Sequence, residues 1–465
     1  MELNGRDGTM TSTLDRPARP SGGRHRLREP EPPPLPAVPA WQRFAKQSLF
    51  VHYYRLMAVV FVVNLALVPG SDVEFARNAV LVNLTVAILI RQRRVLNLAF
   101  SLVRCTPRSW PTPVRRTLSK VHHLGGVHVG AAMAALVWYL VLLVQLVQAA
   151  AGDTALLGSP LYLFTYAIAA LLVTICVCAH PFMRRKFHNL FERTHRFAGW
   201  LLLGLFWLQT VLLGATTPDG SVNWVELTGD PQVWALLVAS LCSLVPWRNL
   251  RRVSITVTRP SAHVAVVGFD HDGGWAPFNS STTAMSLSPL REWHKFAAVD
   301  APLGTDRGYR VFLSRAGDWT GAFIDDPPER VWIRKAPTSG PGRVDGLFER
   351  VLYVATGSGI GPVLTSMIGR AKERKGPMAL LWVARDPFHT FGAEVIKEVL
   401  SLVPDAHIVD TLHDAKPDLA TLTYHLATRF RADAVYITAN QRATVNVINA
   451  MESRGIVANG ALFDS

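Results

Sequence analysis

The stretch that decides the fold of the C-terminal third is Val351-Leu352-Tyr353-Val354-Ala355-Thr356-Gly357-Ser358-Gly359-Ile360-Gly361-Pro362. Its apolar start predicts a buried strand, and its three glycines predict a tight turn before a helix that begins near Val363. Glycines let the backbone approach a diphosphate closely, and the start of a helix attracts negative charge. The alternative is a plain strand-to-helix turn. The residues predicted to bind the nucleotide are Thr356, Gly357, Ser358, Gly359 and Gly361.

Strands and helices alternate beyond this stretch, which predicts a doubly wound α/β nucleotide-binding domain over 346–465. Further parallel strands are predicted at 378–383, 406–411 and 434–438. Arg385 follows the second strand, at a position where a guanidinium suits a 2′-phosphate. The adjacent Asp386 suits a free ribose hydroxyl instead, so NADPH and NADH both remain open.

The segment before this domain, 250–345, has the period-two pattern of short strands separated by Gly, Pro and Asp turns. Clear examples lie at 253–258, 263–269 and 331–333. Because turns recur at short intervals, the segment is predicted to form an antiparallel barrel or sandwich.

The N-terminal half holds most of the apolar residues. Hydrophobic residues make up 49% of the 465 and charged residues only 18%, below the roughly one quarter of an average globular protein. About six segments approach the roughly 20 residues that a spanning helix needs. They are 50–68, 77–101, 121–149, 160–180, 197–214 and 231–247. These segments predict an α-helical transmembrane bundle over 41–249, embedded in a lipid bilayer.

The loops between the predicted spans differ in charge. Basic residues concentrate at 91–94, 104–120, 184–196 and 248–252, whereas Arg77 is the only one in the opposite loops. By the positive-inside rule, this asymmetry predicts six spans in the cell membrane with both termini in the cytoplasm. The net charge of +14 follows from the same loops and does not indicate a nucleic-acid partner. The Arg-, Pro- and Gly-rich residues 1–40 are predicted to be disordered.

Two further motifs, Glu292-Trp293-His294-Lys295-Phe296-Ala297 and Ala316-Gly317-Asp318-Trp319-Thr320, precede the glycine-rich loop. With the loop and the ending at 451–465, they make residues 120–465 resemble the ferredoxin–NADP reductase superfamily. The chain is similar to the membrane ferric reductases and NADPH oxidases within it. It resembles more closely the TmpA-type membrane flavoproteins and the domain fused behind some adenylate-forming enzymes. The resemblance implies an FAD-binding barrel over 250–345 and an NAD(P)-binding domain after it.

The resemblance implies that one strand lines the flavin, through His294, Phe296 and Ala297. Ferric reductases usually have His-Pro-Phe-Thr there, so Lys295 and Ala297 are departures, and the second removes a hydroxyl. The loop 335–340 only loosely matches the Gly-Pro-Tyr-Gly of the family's diphosphate side. The family's late Cys-Gly-Pro is replaced by residues 439–442, Ala-Asn-Gln-Arg.

The ferric-reductase resemblance also implies b-type haem. Those proteins use histidine pairs about thirteen residues apart on the third and fifth spans, but Leu136 and Leu208 stand thirteen residues after His123 and His195. The outer haem pair is therefore missing. His128 and His195 are the most suitable axial ligands for a single inner haem. The alternative is that these histidines lie at the membrane interface without a ligand.

These patterns predict a membrane-bound flavin oxidoreductase that passes hydride from NAD(P)H to FAD and electrons to an unknown acceptor. The departures in the flavin strand favour a second hypothesis, a reductase-like protein that senses nucleotide or flavin without turnover. A transporter is disfavoured because the sequence suggests no cluster of polar residues within the spans. None of the four cysteines has zinc-site spacing, and none lies in the C-terminal third.

Overall fold

The structure is a computed structural model that describes residues 33–45, 52–214, 223–269, 277–301 and 308–460. Helices form the N-terminal half, and a helix lies in each of the six regions predicted to span a membrane. The helices are α1 (Ala40–Ala45), α2 (His52–Ala66), α3 (Val73–Leu89), α4 (Arg93–Arg104), α5 (Thr112–Ser119), α6 (Gly125–Ala149), α7 (Thr154–Leu157), α8 (Pro160–Cys178), α9 (Pro181–Lys186), α10 (His188–Gly214), α11 (Trp224–Gly229) and α12 (Pro231–Arg248).

The number of helices that can span a membrane is smaller than the six predicted. Among the described residues, Thr112–Ala149 and Pro160–Cys178 are long and apolar enough to cross. The second predicted span is broken, because α3 and α4 meet at an angle of 72°, and it adds a third only if the bent pair is one span. The break falls at 90–92, beside the run of arginines that the sequence places there.

Close approach of α6 to α2 organises the bundle. A Cβ added at Gly126 would lie 2.1 Å from the carbonyl oxygen of Tyr53, and one at Gly130 would lie 2.6 Å from that of Met57. Only glycine fits these two positions, which are one helical turn apart on the same face. Such small-residue contacts let two helix backbones pack directly against each other.

Polar side chains from different helices meet inside the bundle. Asn64 Oδ1 accepts hydrogen bonds from Asn83 Nδ2 at 2.7 Å and from Trp138 Nε1 at 2.9 Å. On other helices, Gln209 Nε2 donates to Thr165 Oγ1 at 2.8 Å. The partners come from different helices, so their proximity is not visible in any one segment of sequence. These bonds satisfy the buried amide groups and fix how the helices rotate against each other.

Two antiparallel sheets follow the bundle, rather than one closed barrel. Their elements are β1 (Leu250–Ser254), β2 (Thr256–Thr258), β3 (Val264–Phe269), β4 (Ser281–Ser286), β5 (His294–Ala297), β6 (Val299–Asp300), β7 (Tyr309–Ser314), α13 (Asp318–Asp325) and β8 (Arg330–Ser339). One sheet has the order β1-β8-β4-β5 and the other β2-β3-β7-β6. Met285 and Val311, one from each sheet, are fully buried in a shared core. The sandwich alternative is therefore the observed one.

The nucleotide domain has the predicted parallel sheet. Its elements are β9 (Val351–Thr356), α14 (Ile360–Lys372), β10 (Met378–Ala384), α15 (Pro387–Phe391), α16 (Ala393–Leu402), β11 (His407–Asp410), α17 (Leu419–Phe430), β12 (Ala434–Thr438), α18 (Gln441–Glu452) and β13 (Val457–Gly460). The order is β11-β10-β9-β12-β13, and all four strand pairs are parallel. The edge strand β13 was not predicted, because Asn459 and Gly460 are poor strand formers.

The segment from α4 to α5 joins the bundle to the nucleotide domain. Lys120, directly after α5, forms an ion pair of 2.9 Å with Glu452 at the end of α18, and Arg116 adds a second at 3.7 Å. Burial alone would raise the pKa of Glu452, but Lys120 and a hydrogen bond from the Ala458 N–H outweigh it and hold the pKa below its usual value. The carboxylate is therefore ionised, and it fixes one end of α18 to the bundle.

The disorder predicted for residues 1–40 is wrong for 33–40, while 1–32 lie outside the described residues. Leu35 packs against the core of the nucleotide domain. The carbonyl of Pro33 is 2.7 Å from His425 Nε2, and that of Pro36 accepts a hydrogen bond of 2.7 Å from Arg454 Nη2. Composition indicated disorder, but one partly buried leucine and two side-chain contacts hold this proline-rich segment in place.

Candidate functional site

The glycine-rich loop lies where the parallel sheet reverses its order of strands. From β9 the chain moves outward to β10 and β11, then crosses to β12 on the other side of β9. In open α/β sheets, ligands bind in the crevice beyond the carboxyl ends of the strands at such a switch point. Gly357 leaves β9 with φ +51°, a conformation natural to glycine, and α14 begins at Ile360. The space beside Gly357 is open, since an added Cβ would meet nothing within 4 Å.

Close backbone contact fixes the far side of the loop. A Cβ at Gly359 would lie 2.2 Å from the carbonyl oxygen of Thr438 at the end of β12. On the near side, Trp382 Nε1 donates a hydrogen bond of 3.0 Å to the carbonyl of Gly357. The loop is therefore held between β10 and β12, with Gly357 facing open space. This arrangement fits a diphosphate, which needs exposed backbone and the positive end of a helix.

Ser358 connects the loop to the two-sheet domain. Its hydroxyl lies 2.7 Å from the hydroxyl of Ser314 at the end of β7, within hydrogen-bond distance. Gly361 contacts the same strand, because a Cβ there would lie 3.3 Å from the ring of Phe312. The site is thus lined on one side by β7, so the two domains together determine the shape of the crevice.

The side chains of Arg385 and Asp386 differ in whether they are already bonded within the protein. Arg385 is exposed at the carboxyl end of β10, and no hydrogen bond or ion pair ties its guanidinium to the part of the chain that the structure describes. The Asp386 carboxylate instead caps α15, accepting from the His389 N–H at 3.2 Å. Its own N–H donates to Asp410 Oδ1 at 2.7 Å. Arg385 is therefore the group available to a phosphate.

Arg442 is a candidate that sequence reasoning did not single out. It is exposed in the first turn of α18, which starts beside the loop, and no contact to another described residue is formed by its guanidinium. Asn440 Oδ1 caps the same helix through a 2.9 Å bond from the Ala443 N–H. The sequence showed this segment only as a replacement for Cys-Gly-Pro. Because Arg442 follows β12, it is a second cation, after Arg385, at the carboxyl ends of the strands.

The predicted flavin strand turns two of its three named residues inward. In β5, His294 stands opposite the fully buried Met285, and Phe296 stands opposite the fully buried Thr283. The His294 ring stacks on Trp319 with centroids 4.2 Å apart, and Phe296 lies 6.2 Å from the same indole. Burial lowers the pKa of His294, and its Nε2 has no hydrogen-bond partner. Ala297 faces the other side of the sheet together with Lys295.

The loop 335–340, predicted on the diphosphate side of a flavin, is bound by α4. Asn97 Nδ2 donates to the carbonyl of Pro337 at 2.9 Å, and Asn97 Oδ1 accepts from the Ser339 N–H at 2.9 Å. The amide that would receive a phosphate is thus already bonded. Trp319 stacks on His294 and lies beside Phe296, so a flavin bound at this strand would share its inner face with that indole.

The two candidate haem ligands lie next to each other. The rings of His128 on α6 and His195 on α10 have centroids 6.1 Å apart and an interplanar angle of 74°. An iron bound about 2 Å from one nitrogen of each ring would separate the centroids by about 6 Å. His128 Nδ1 is 2.8 Å from the carbonyl of Ala87, which leaves Nε2 for a metal and matches the usual support of a ligating histidine. The fold thus brings together the two histidines predicted as haem ligands.

Comparison with known proteins relates the chain to fungal adenylate-forming reductases. Residues 342–465 match the family model of the adenylate-forming reductase 03009 C-terminal domain. Adenylate-forming reductases 03009 and 06235 of Coprinopsis cinerea are each 36% identical to the chain over 432 residues. The alignments cover 91% of this chain and 41% of each relative. The chain spans about two fifths of the length of these curated relatives. The resemblance to the domain fused behind adenylate-forming enzymes is confirmed.

Among solved structures, a ferredoxin NADP+ reductase from Neisseria gonorrhoeae with bound FAD and NADP is similar to the chain. The match has a TM-score of 0.39 and 12% sequence identity, and it covers 46% of this chain and 98% of the other. A phthalate dioxygenase reductase matches with a TM-score of 0.37 and 16% identity, over 47% of this chain and 69% of the other.

Proposed function

We propose that this chain is a membrane-bound oxidoreductase that uses NAD(P)H. The observation that carries the proposal is the Gly357–Gly359 turn at the switch point of a parallel sheet, open on one side and followed by a helix. The names of the curated relatives, which are reductases, support a redox activity for the shared region. The bound nucleotide supplies the hydride. The identity of the electron acceptor is not part of the proposal.

The chain's own residues bind and orient the nucleotide. The N-terminal turn of α14 and the backbone of the loop hold the diphosphate, because unpaired N–H groups and the helix dipole favour negative charge there. Ser314 and Trp382 keep that backbone in place through their bonds to Ser358 and Gly357. A rigidly held diphosphate fixes the nucleotide at the carboxyl ends of β9 and β12.

NADPH is the proposed nucleotide, because Arg385 is free and the Asp386 carboxylate is engaged as a helix cap. Arg385→Gln is expected to weaken NADPH binding about 10- to 100-fold, the loss of one charge-assisted, bidentate phosphate contact. NADH binding should change little, since NADH lacks the 2′-phosphate. Calorimetric titration of the full chain in detergent measures both constants.

The matched control for this test is Arg429→Gln. Arg429 is an exposed arginine in the last turn of α17, at the opposite end of the sheet from the loop, and its loss should leave both affinities unchanged. Equal weakening of NADPH and NADH in Arg385→Gln would show that this residue does not recognise the 2′-phosphate. Absence of binding of either nucleotide to the wild-type chain would refute the proposed function itself.

A membrane location is part of the proposal. Thr112–Ala149 and Pro160–Cys178 are long and apolar enough to cross a membrane, and α2 packs against the first and α10 against the second. Basic residues concentrate on one side of the bundle, at 91–94, 104–120 and 184–196. That distribution favours a cytoplasmic location for the two-sheet and nucleotide domains and for both termini.

One haem b, held by His128 and His195, is the second cofactor that we propose. When bound, it supplies one-electron chemistry inside the bundle, and the two imidazoles hold its iron. The purified chain is expected to show a Soret band that disappears in His128→Ala and in His195→Ala. His413→Ala, an exposed histidine after β11, should keep the band. A wild-type chain without a Soret band, or a band that survives both substitutions, would contradict the assignment.

A second candidate function, nucleotide sensing without turnover, is supported by the packing of His294 on Trp319. If no acceptor receives hydride, the chain binds nucleotide as a sensor without turnover. Oxidation of NADPH by the purified chain with an artificial electron acceptor separates the two functions. Turnover that is lost in Gly359→Ala supports the oxidoreductase, whereas tight binding without oxidation supports the sensor.

A further inference from the structure

A row of cations lies on the outer face of the sheet β1-β8-β4-β5. Lys295 on β5 and Arg334 on β8 both stand opposite Ala284 on β4, one from each side. Directly paired residues point to the same face of a sheet, and the two cations are two strand spacings apart, about 10 Å. Ala284 lies between them on the central strand and is itself buried. His294 and Phe296 lie on the opposite face.

Two more arginines join this row, Arg91 in the turn between α3 and α4 and Arg93 at the start of α4. The Arg93 guanidinium donates to the carbonyl of Ala336, two residues after Arg334. Dense protein surroundings, together with repulsion from Arg91, Arg93 and Arg334, lower the pKa of Lys295 to about 8, although part of its side chain reaches solvent. Burial and repulsion from Arg93 and Arg196 lower the pKa of Arg334 to about 10.

These four cations have no carboxylate partner within the part of the chain that the structure describes. Among the described residues, none of Arg91, Arg93, Lys295 and Arg334 forms an ion pair. Glu192, an acid that acts on Arg334, is already paired with Arg196. The Arg334 guanidinium lies 4.2 Å over the Trp293 ring, and its Nε is buried without a hydrogen-bond partner. Converging like charges with an unsatisfied donor are costly unless an anion joins them.

We propose that this junction binds a phosphate-bearing anion between Lys295 and Arg334, closed from the bundle side by Arg93. Guanidinium groups match phosphate oxygens in bidentate geometry, and a lysine adds a point charge. A cavity of about 280 Å³ is lined by Arg196, whose charge acts on Arg334, and by Glu292, the residue before Trp293. The phosphate comes either from a phospholipid headgroup or from a soluble phosphate compound.

The test measures the thermal unfolding temperature of the full chain in nanodiscs of neutral phosphatidylcholine. One arm adds inorganic pyrophosphate, and the other replaces a minor fraction of the lipid with phosphatidic acid. A ligand that binds only the folded state raises the Tm, so a rise of a few degrees is expected in one arm. That arm identifies the source of the phosphate.

Three variants attribute the shift to this junction. Lys295→Gln alone should reduce the rise, and Lys295→Gln with Arg334→Gln should abolish it. Without ligand, both should unfold no earlier than wild type, because they relieve repulsion. Arg251→Gln, an exposed cation on β1 of the same sheet, should keep the full rise. No rise in either arm for the wild-type chain, or a rise retained by the double variant, would overturn the proposal.

Discussion

Replacing Gly359 by alanine is expected to abolish NADPH binding and to destabilise the nucleotide domain by about 1–3 kcal/mol. The new Cβ would lie 2.2 Å from the carbonyl oxygen and 3.0 Å from the carbonyl carbon of Thr438. Both atoms belong to the backbone of β12, so a change of side-chain rotamer cannot relieve the clash. The loop must move off the strand, and this carries the backbone of Gly357 and the start of α14 away from the diphosphate.

Nucleotide titration and urea unfolding of the full chain in detergent measure the two effects. Gly317→Ala is the control, since a Cβ there meets nothing within 4 Å and the φ of −178° is extended. It should behave as wild type in both measurements. Wild-type affinity for NADPH in Gly359→Ala would show that the loop does not hold the nucleotide.

Glu398→Ala is expected to destabilise the chain by about 3–5 kcal/mol, the usual cost of leaving one partner of a buried ion pair alone. Glu398 on α16 pairs with Arg310 on β7, and both are more than nine-tenths buried. The guanidinium lies 5.5 Å from the ring of Phe312, which in turn contacts Gly361 at the nucleotide loop. Loss of the pair therefore also loosens the crevice between the two domains.

The double variant Arg310→Met with Glu398→Leu separates these causes. Replacing both partners by apolar side chains of similar size removes the unpaired charge, so stability should return to near the wild-type value. Urea unfolding of the single and double variants measures this recovery. A double variant as unstable as Glu398→Ala would mean that shape at this contact matters more than charge.

The parallel sheet was the most predictable part of the fold. Val351 to Thr356 form a buried strand in the centre of that sheet, and an apolar run directly before a glycine turn is typical of such a strand. The helix begins three residues earlier than predicted, at Ile360 instead of Val363. Sequence periodicity does not fix helix ends, because the first turn depends on how the glycines fold.

The flavin strand shows where sequence reasoning stopped. Alternation predicts that His294 and Phe296 share one face and that Lys295 and Ala297 share the other. Alternation does not show which of the two faces is buried. The pairing of β5 with Met285 and Thr283 on β4 determines the buried face. The polar contacts of the bundle were missed for a similar reason, because Asn64, Asn83 and Trp138 belong to three different helices. Tertiary neighbours are not a property of one segment.

Hydrogen exchange of the full chain with and without NADPH, followed by mass spectrometry, locates the nucleotide on the chain. We expect protection of the peptides that cover 356–363 and 439–443, at the carboxyl ends of β9 and β12. The Arg385 peptide should gain protection with NADPH and less with NADH. Protection confined to other parts of the chain, or none at saturating NADPH, would contradict a nucleotide site at the glycine-rich loop.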